Sequence, residues 1–131
     1  MAIDETVYIS YAEAVLIHIR LLQALDETRY GVDSRELIES ALNRPKHAAI
    51  YENADIIRQS ANLLFGLIKN HPWRGGNKRT ATTLLQRFLE LNGYRKNWTI
   101  IEQIELVLTI ESDAWKIDEI EIWLRERVLR G

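Results

Sequence analysis

The chain has no cysteine among its 131 residues. That excludes disulfides, thiolate metal sites and a cysteine nucleophile. It is compatible with a reducing, cytoplasmic setting. Proline occurs twice and glycine six times, so few positions can interrupt a helix. No apolar run approaches the ~20 residues of a membrane span. The opening Met1-Ala2-Ile3-Asp4-Glu5 lacks the basic start and apolar stretch of a signal peptide. These absences lead to the expectation of a cytoplasmic protein with no membrane partner. With 47% apolar residues, the length suits one domain over residues 1–131 with its own core.

A local absence is more pointed. Between Asp55 and Glu90 there is no acidic residue, while Arg58, Lys69, Arg74, Lys78, Arg79 and Arg87 all fall there. An anion bound in this window would meet a positive field.

Strand signals are also lacking, and the periodicity is helical throughout. Ser10 with Glu13 predicts a capped first helix carrying Val15, Leu16, Ile19 and Leu22, running to Asp26 or Thr28. Asp33 predicts the start of a second helix, which Pro45 stops. Arg44 to Asn53 then reads as an extended loop or small hairpin. The third helix, Ala54 to Asn70, is apolar on more than one side and is therefore central and buried. Pro72 ends it at His71. A fourth opens near Asn77 and closes at Asn92-Gly93. Tyr94 to Trp98 reads as a link. A fifth helix carries Ile100, Ile101, Ile104, Val107 and Leu108, and a sixth spans Asp118 to Leu129. The fold class is all-α, a compact bundle of about six helices.

The chemistry concentrates in His71-Pro72-Trp73-Arg74-Gly75-Gly76-Asn77-Lys78-Arg79-Thr80-Ala81. Gly75 and Gly76 let a ligand approach the main chain. They lead into a helix N-terminus with free N–H donors and the positive end of the dipole, an anion site. Asn77 can cap the helix or donate to an oxygen. Lys78 adds a mobile charge and Arg79 a planar fork for phosphate. His71, across the loop, can take a proton near neutral pH. A helix C-cap is the alternative role for it.

This stretch resembles the signature of the Fic/Doc family. Lys78, where adenylylating members carry Gly, marks the death-on-curing (Doc) toxin branch. The layout from Tyr30-Gly31 through Leu37 to Pro45 and on to His71 resembles that branch too. The resemblance implies a Fic-like fold, with His71 as the base that deprotonates a target hydroxyl. It implies that Asn77, Lys78 and Arg79 hold ATP phosphates in the cradle of Gly75 and Gly76, and that Trp73 anchors the loop. It implies a flap at about Arg44 to Asn53 that covers the site. A Doc-type protein would move the terminal phosphate of ATP to a threonine of a translation elongation factor, restrained by an antitoxin acting in trans. No Ser or Thr here has Glu four residues later, so the self-inhibitory helix of some members is not encoded.

Two positions depart from the family pattern. Gly75 stands where an Asp or Glu normally holds magnesium, so no metal-ligating residue is assigned and the role of Mg²⁺ beside ATP is left open. Thr82 stands where adenylylating members carry a second Arg, which favours phosphate over AMP transfer. AMP transfer and an inactive nucleotide- or partner-binding module are the alternatives. Glu52 and Asp55 are the carboxylates expected nearest Gly75. The basic residues cluster on one loop rather than along a face, which argues against nucleic acid. His18 reads as a satisfied core or surface residue, His47 as a loop residue. The three histidines are too scattered for a zinc site.

Overall fold

A computed structural model describes residues 5–131; most of the opening pentapeptide, residues 1–4, lies outside it. Six helices follow in order: α1 (Tyr11–Ala24), α2 (Arg35–Glu52), α3 (Ile56–Asn70), α4 (Asn77–Leu91), α5 (Ile100–Glu111) and α6 (Ile117–Arg127). The fold is all-α, apart from two short strands, β1 (Tyr94–Lys96) and β2 (Val128–Arg130). No helix among the described residues is long and apolar enough to cross a membrane.

The caps explain the boundaries. Ser10 accepts from the Glu13 N–H, Asp55 from Arg58 and Thr99 from Glu102. Each satisfies one of the donors a helix start leaves over. Helix α1 ends at Ala24, a little short of the expected Asp26. Helix α3 is central as expected. It packs on α2, α4, α5 and α6 and buries residues on all sides, including Ile57, Leu64, Leu67 and the polar Gln59 and Ser60.

The second helix differs from expectation. It starts after Ser34, which accepts from the Leu37 N–H, and it runs straight through Pro45 to Glu52. Thus Arg44 to Asn53 is neither loop nor hairpin. A proline inside a helix costs about 3 kcal/mol. Here it lies on the stripe Ile38, Ala41, Leu42, Pro45, Ala48 and Ala49, all buried, so burial against α3 offsets that cost. Gly66 on α3 permits the approach. A Cβ there would come within 3.3 Å of Ala41 and 2.5 Å of the Arg44 side chain. Asn53 closes α2 in the left-handed conformation.

The end of the chain also departs from a pure helix bundle. The expected link at Tyr94 pairs with the end of the expected sixth helix: Tyr94 with Arg130, Arg95 with Leu129 and Lys96 with Val128, antiparallel. Three residues each is too short to carry a readable alternation. Gly93, with φ +86, makes the turn out of α4.

Candidate functional site

Helix α3 ends at His71, which takes the left-handed conformation (φ 49°, ψ 53°). Pro72 follows, and its carbonyl accepts from the N–H groups of both Asp33 and Ser34. Arg74 N–H donates to the Gly31 carbonyl at 2.9 Å, and Val32 bridges Trp73. The motif loop is thus sewn to the segment between α1 and α2. Trp73, the residue expected to anchor the loop, is 1% exposed.

Asn77 clamps the loop on itself. Its Oδ1 accepts from the Trp73 N–H at 2.9 Å and its Nδ2 donates to the Trp73 carbonyl at 2.8 Å. A second Nδ2 proton remains for a ligand. Gly76 is the N-cap of α4 with φ +61°, and no side chain caps that helix. The first-turn amides of α4 are therefore left for solvent or an anion.

His18 lies beneath the same loop. It is fully buried and stacks on Trp73 with ring centres 4.3 Å apart. Its Nε2 accepts from the Gly31 N–H at 3.0 Å, so the proton sits on Nδ1, which donates to Thr80 Oγ1 at 2.8 Å. Burial pushes its pKa down to about 4. The core reading of His18 holds. Thr80 is buried as well, so His18 ties α1, the motif loop and α4 together.

His71, Gly75, Gly76, Asn77, Lys78 and Arg79 line one open cleft of about 400 Å³, with Leu22, Glu27 and Arg29. That volume lies within the roughly 300–1,000 Å³ of small-molecule sites. Among the described residues the His71 side chain has no hydrogen-bond partner, and it is exposed at the cleft. A larger pocket of about 510 Å³, between the start of α3 and the strands, contains no motif residue.

Sequence reasoning missed Leu22, Glu27 and Arg29. They lie more than forty residues before the motif, and only the folding back of the segment after α1 brings them in. Conversely, no residue of Arg44 to Asn53 lines the cleft. That segment is the second half of α2, so the flap expected there is absent. His47 is on the exposed helix surface, edge-on to Tyr51.

The electrostatics differ from the sequence expectation in a specific way. All six cations of the acid-free window meet a carboxylate from outside it. Arg58 has Glu52, Asp118 and Glu121, Lys69 has Asp113, and Arg74 has Asp33. Lys78 has Glu111 at 3.3 Å, Arg79 has Glu27 at 4.0 Å, and Arg87 has Glu13. Much of the window's charge is therefore compensated across the fold. The cleft itself keeps an excess: Arg29, Lys78 and Arg79 against Glu27.

The carboxylates near the motif are few. Among the described residues no group of three or more His, Asp or Glu could hold a metal. Glu52 and Asp55, expected near Gly75, are elsewhere. Asp55 caps the start of α3, about 24 Å from its His71 end by helix rise. Burial works against ionisation of Asp55, but the Arg58 N–H and the Arg125 guanidinium hold its carboxyl below the ordinary range. Glu52 pairs with Arg58. Among the described residues the one carboxylate lining the cleft is Glu27, which faces Arg79. A single carboxylate already beside a guanidinium is a poor magnesium ligand set.

Thr82 is buried. Its hydroxyl donates to the Arg79 carbonyl and accepts from Gln103. It brings no charge to the phosphate side.

The model of the Fic/DOC family matches residues 8–89. No curated protein matches the chain significantly. The match covers more than half of the chain and the whole motif, and the chain belongs to the Fic/DOC family. Members of that family are typically transferases that act on proteins.

Proposed function

We propose that the chain is a Doc-type protein phosphotransferase that takes ATP as donor and a Ser or Thr hydroxyl of a translation factor as acceptor. The observation that carries this reading is the single cleft in which an unengaged His71 faces the glycine turn, Lys78 and Arg79. In the reaction, His71 accepts the proton of the hydroxyl as its oxygen attacks the terminal phosphorus. A new P–O bond forms, the bond to the bridging oxygen breaks, and ADP leaves. Lys78, Arg79 and the first-turn amides of α4 offset the charge on the transferring group. The second proton of the Asn77 amide can reach a phosphate oxygen while the first holds the loop. Lys78 in place of Gly and Thr82 in place of Arg favour phosphate over AMP transfer. An antitoxin bound in trans and a cytoplasmic setting accompany this reading, with one domain spanning residues 1–131.

The test is label transfer in a bacterial extract. Transfer from γ-labelled ATP that disappears in His71→Ala supports the assignment. Transfer from α-labelled ATP alone moves it to adenylylation. A second reading, a nucleotide-binding module without turnover, is favoured by the missing carboxylate at Gly75. It predicts saturable ATP binding with no label on any protein.

A further inference from the structure

We infer, on the reading that this cleft binds ATP, that Arg29 supplies the positive charge a metal would otherwise bring, so that nucleotide binds without magnesium. Gly75 is more than a lost ligand. Its φ is +122°, a conformation that side chains rarely adopt. A Cβ built on it would stand 2.6 Å from the Arg29 carbonyl oxygen and 3.5 Å from Arg29 Cγ. The space in which a carboxylate at position 75 would begin is filled by the Arg29 backbone. Glycine at 75 and the course of the segment after α1 therefore depend on each other.

That segment also decides the charge of the cleft. It delivers Arg29 to the lining. The other lining cations each have a carboxylate, Glu111 for Lys78 and Glu27 for Arg79. Among the described residues Arg29 has no hydrogen-bond or ion-pair partner. A guanidinium without a carboxylate, rooted beside the glycine turn, is suited to bind two phosphate oxygens at once. Exchanging a carboxylate plus a dication for a glycine plus an arginine leaves the same net single positive charge at this spot. It removes the need for an ion that must keep near-ideal octahedral coordination.

The exchange has a consequence opposite in sign to ordinary metal dependence. Free ATP is more anionic than its magnesium complex, so a cleft that relies on its own cations should prefer free ATP. The experiment is calorimetric titration of the whole protein with ATP, in excess EDTA and in excess Mg²⁺. The expected result is binding in EDTA at least as tight as in Mg²⁺. In Arg29→Ala, binding in EDTA should be about tenfold weaker, with Arg29→Lys intermediate. Arg29 is exposed, and an unchanged melting temperature shows that the variants fold. Binding that requires Mg²⁺, or EDTA affinity unchanged in Arg29→Ala, overturns the inference and leaves the nucleotide reading standing. Mg²⁺-dependent binding that is lost in Glu27→Gln also overturns the inference and makes Glu27 the metal ligand instead. Absence of ATP binding in either buffer overturns the nucleotide reading and the inference together.

Discussion

Two histidines flank one loop, and their surroundings could hardly differ more. His18 touches the loop from inside, with both ring nitrogens engaged and its ring face on Trp73. His71 ends α3 on the outside, exposed, with neither nitrogen engaged by any of the described residues. The first is fixed and held neutral by burial. The second is placed by its backbone alone, through the left-handed turn and the anchored Pro72 carbonyl. A histidine whose hydrogen bonds are all made maintains a structure, whereas one with free nitrogens at a cleft is available for proton transfer.

The contrast is broken most directly by exchanging the effects. His71→Ala is expected to lower transfer by about 10²–10⁴, the usual contribution of a general base. It should leave stability within about 0.5 kcal/mol, as for other exposed side chains. His18→Ala should do the reverse on stability, costing on the order of 3 kcal/mol in chemical denaturation. It leaves the Gly31 N–H unpaired and opens a void under Trp73.

The buried histidine also carries a pH signature. The folded-state pKa of His18 is depressed to about 4, against about 6.5 in an unfolded chain. Between those values the unfolded state binds more protons, so stability rises with pH. Stability should therefore be fully present above about pH 6.5 and fall toward pH 4, by up to about 3 kcal/mol. Denaturant midpoints across that range test this, and a His18→Gln variant should lose most of the slope. A slope that survives in this variant would mean that another group sets it.

A smaller effect belongs to the glycine turn. Gly75→Ala should cost about 1–3 kcal/mol, because φ +122° and the Arg29 carbonyl both oppose a Cβ. For the same reason Gly75→Asp should be strained and should not by itself restore a magnesium site. The smallest effect is expected at the anchor. Among the described residues Trp73 Nε1 is buried without a partner, so Trp73→Phe removes an orphan donor while leaving a small void. The two terms oppose each other and the change should stay within about 1 kcal/mol. A much larger loss would reveal a partner for the indole N–H.

Most of the helices were legible because their signals are local. Ser10 is a cap that acts within three residues, and the apolar positions of α3 and α4 repeat at helical spacing. Pro45 misled because its local cost is real, while the compensation comes from α3 and Gly66, which no local window contains. The strands were missed because β1 finds its partner more than thirty residues away. In the site, His71 through Arg79 were readable because they are consecutive. Glu27 and Arg29 were not, because only the pairing of residues 31–34 with 72–74 brings that segment over Gly75. The acid-free window was a true feature of the sequence. Its meaning changed once each of its cations met a carboxylate from another element.

The measurement that bears most directly on the cleft as a phosphate-transfer site is label transfer from γ-labelled ATP to proteins of a bacterial extract. Wild type should be compared with a His71→Ala variant of matched melting temperature. Label on a Ser or Thr of a target protein with wild type, and none with His71→Ala, is the predicted result. Equal labelling by both proteins, or labelling from α-labelled ATP alone, would contradict it.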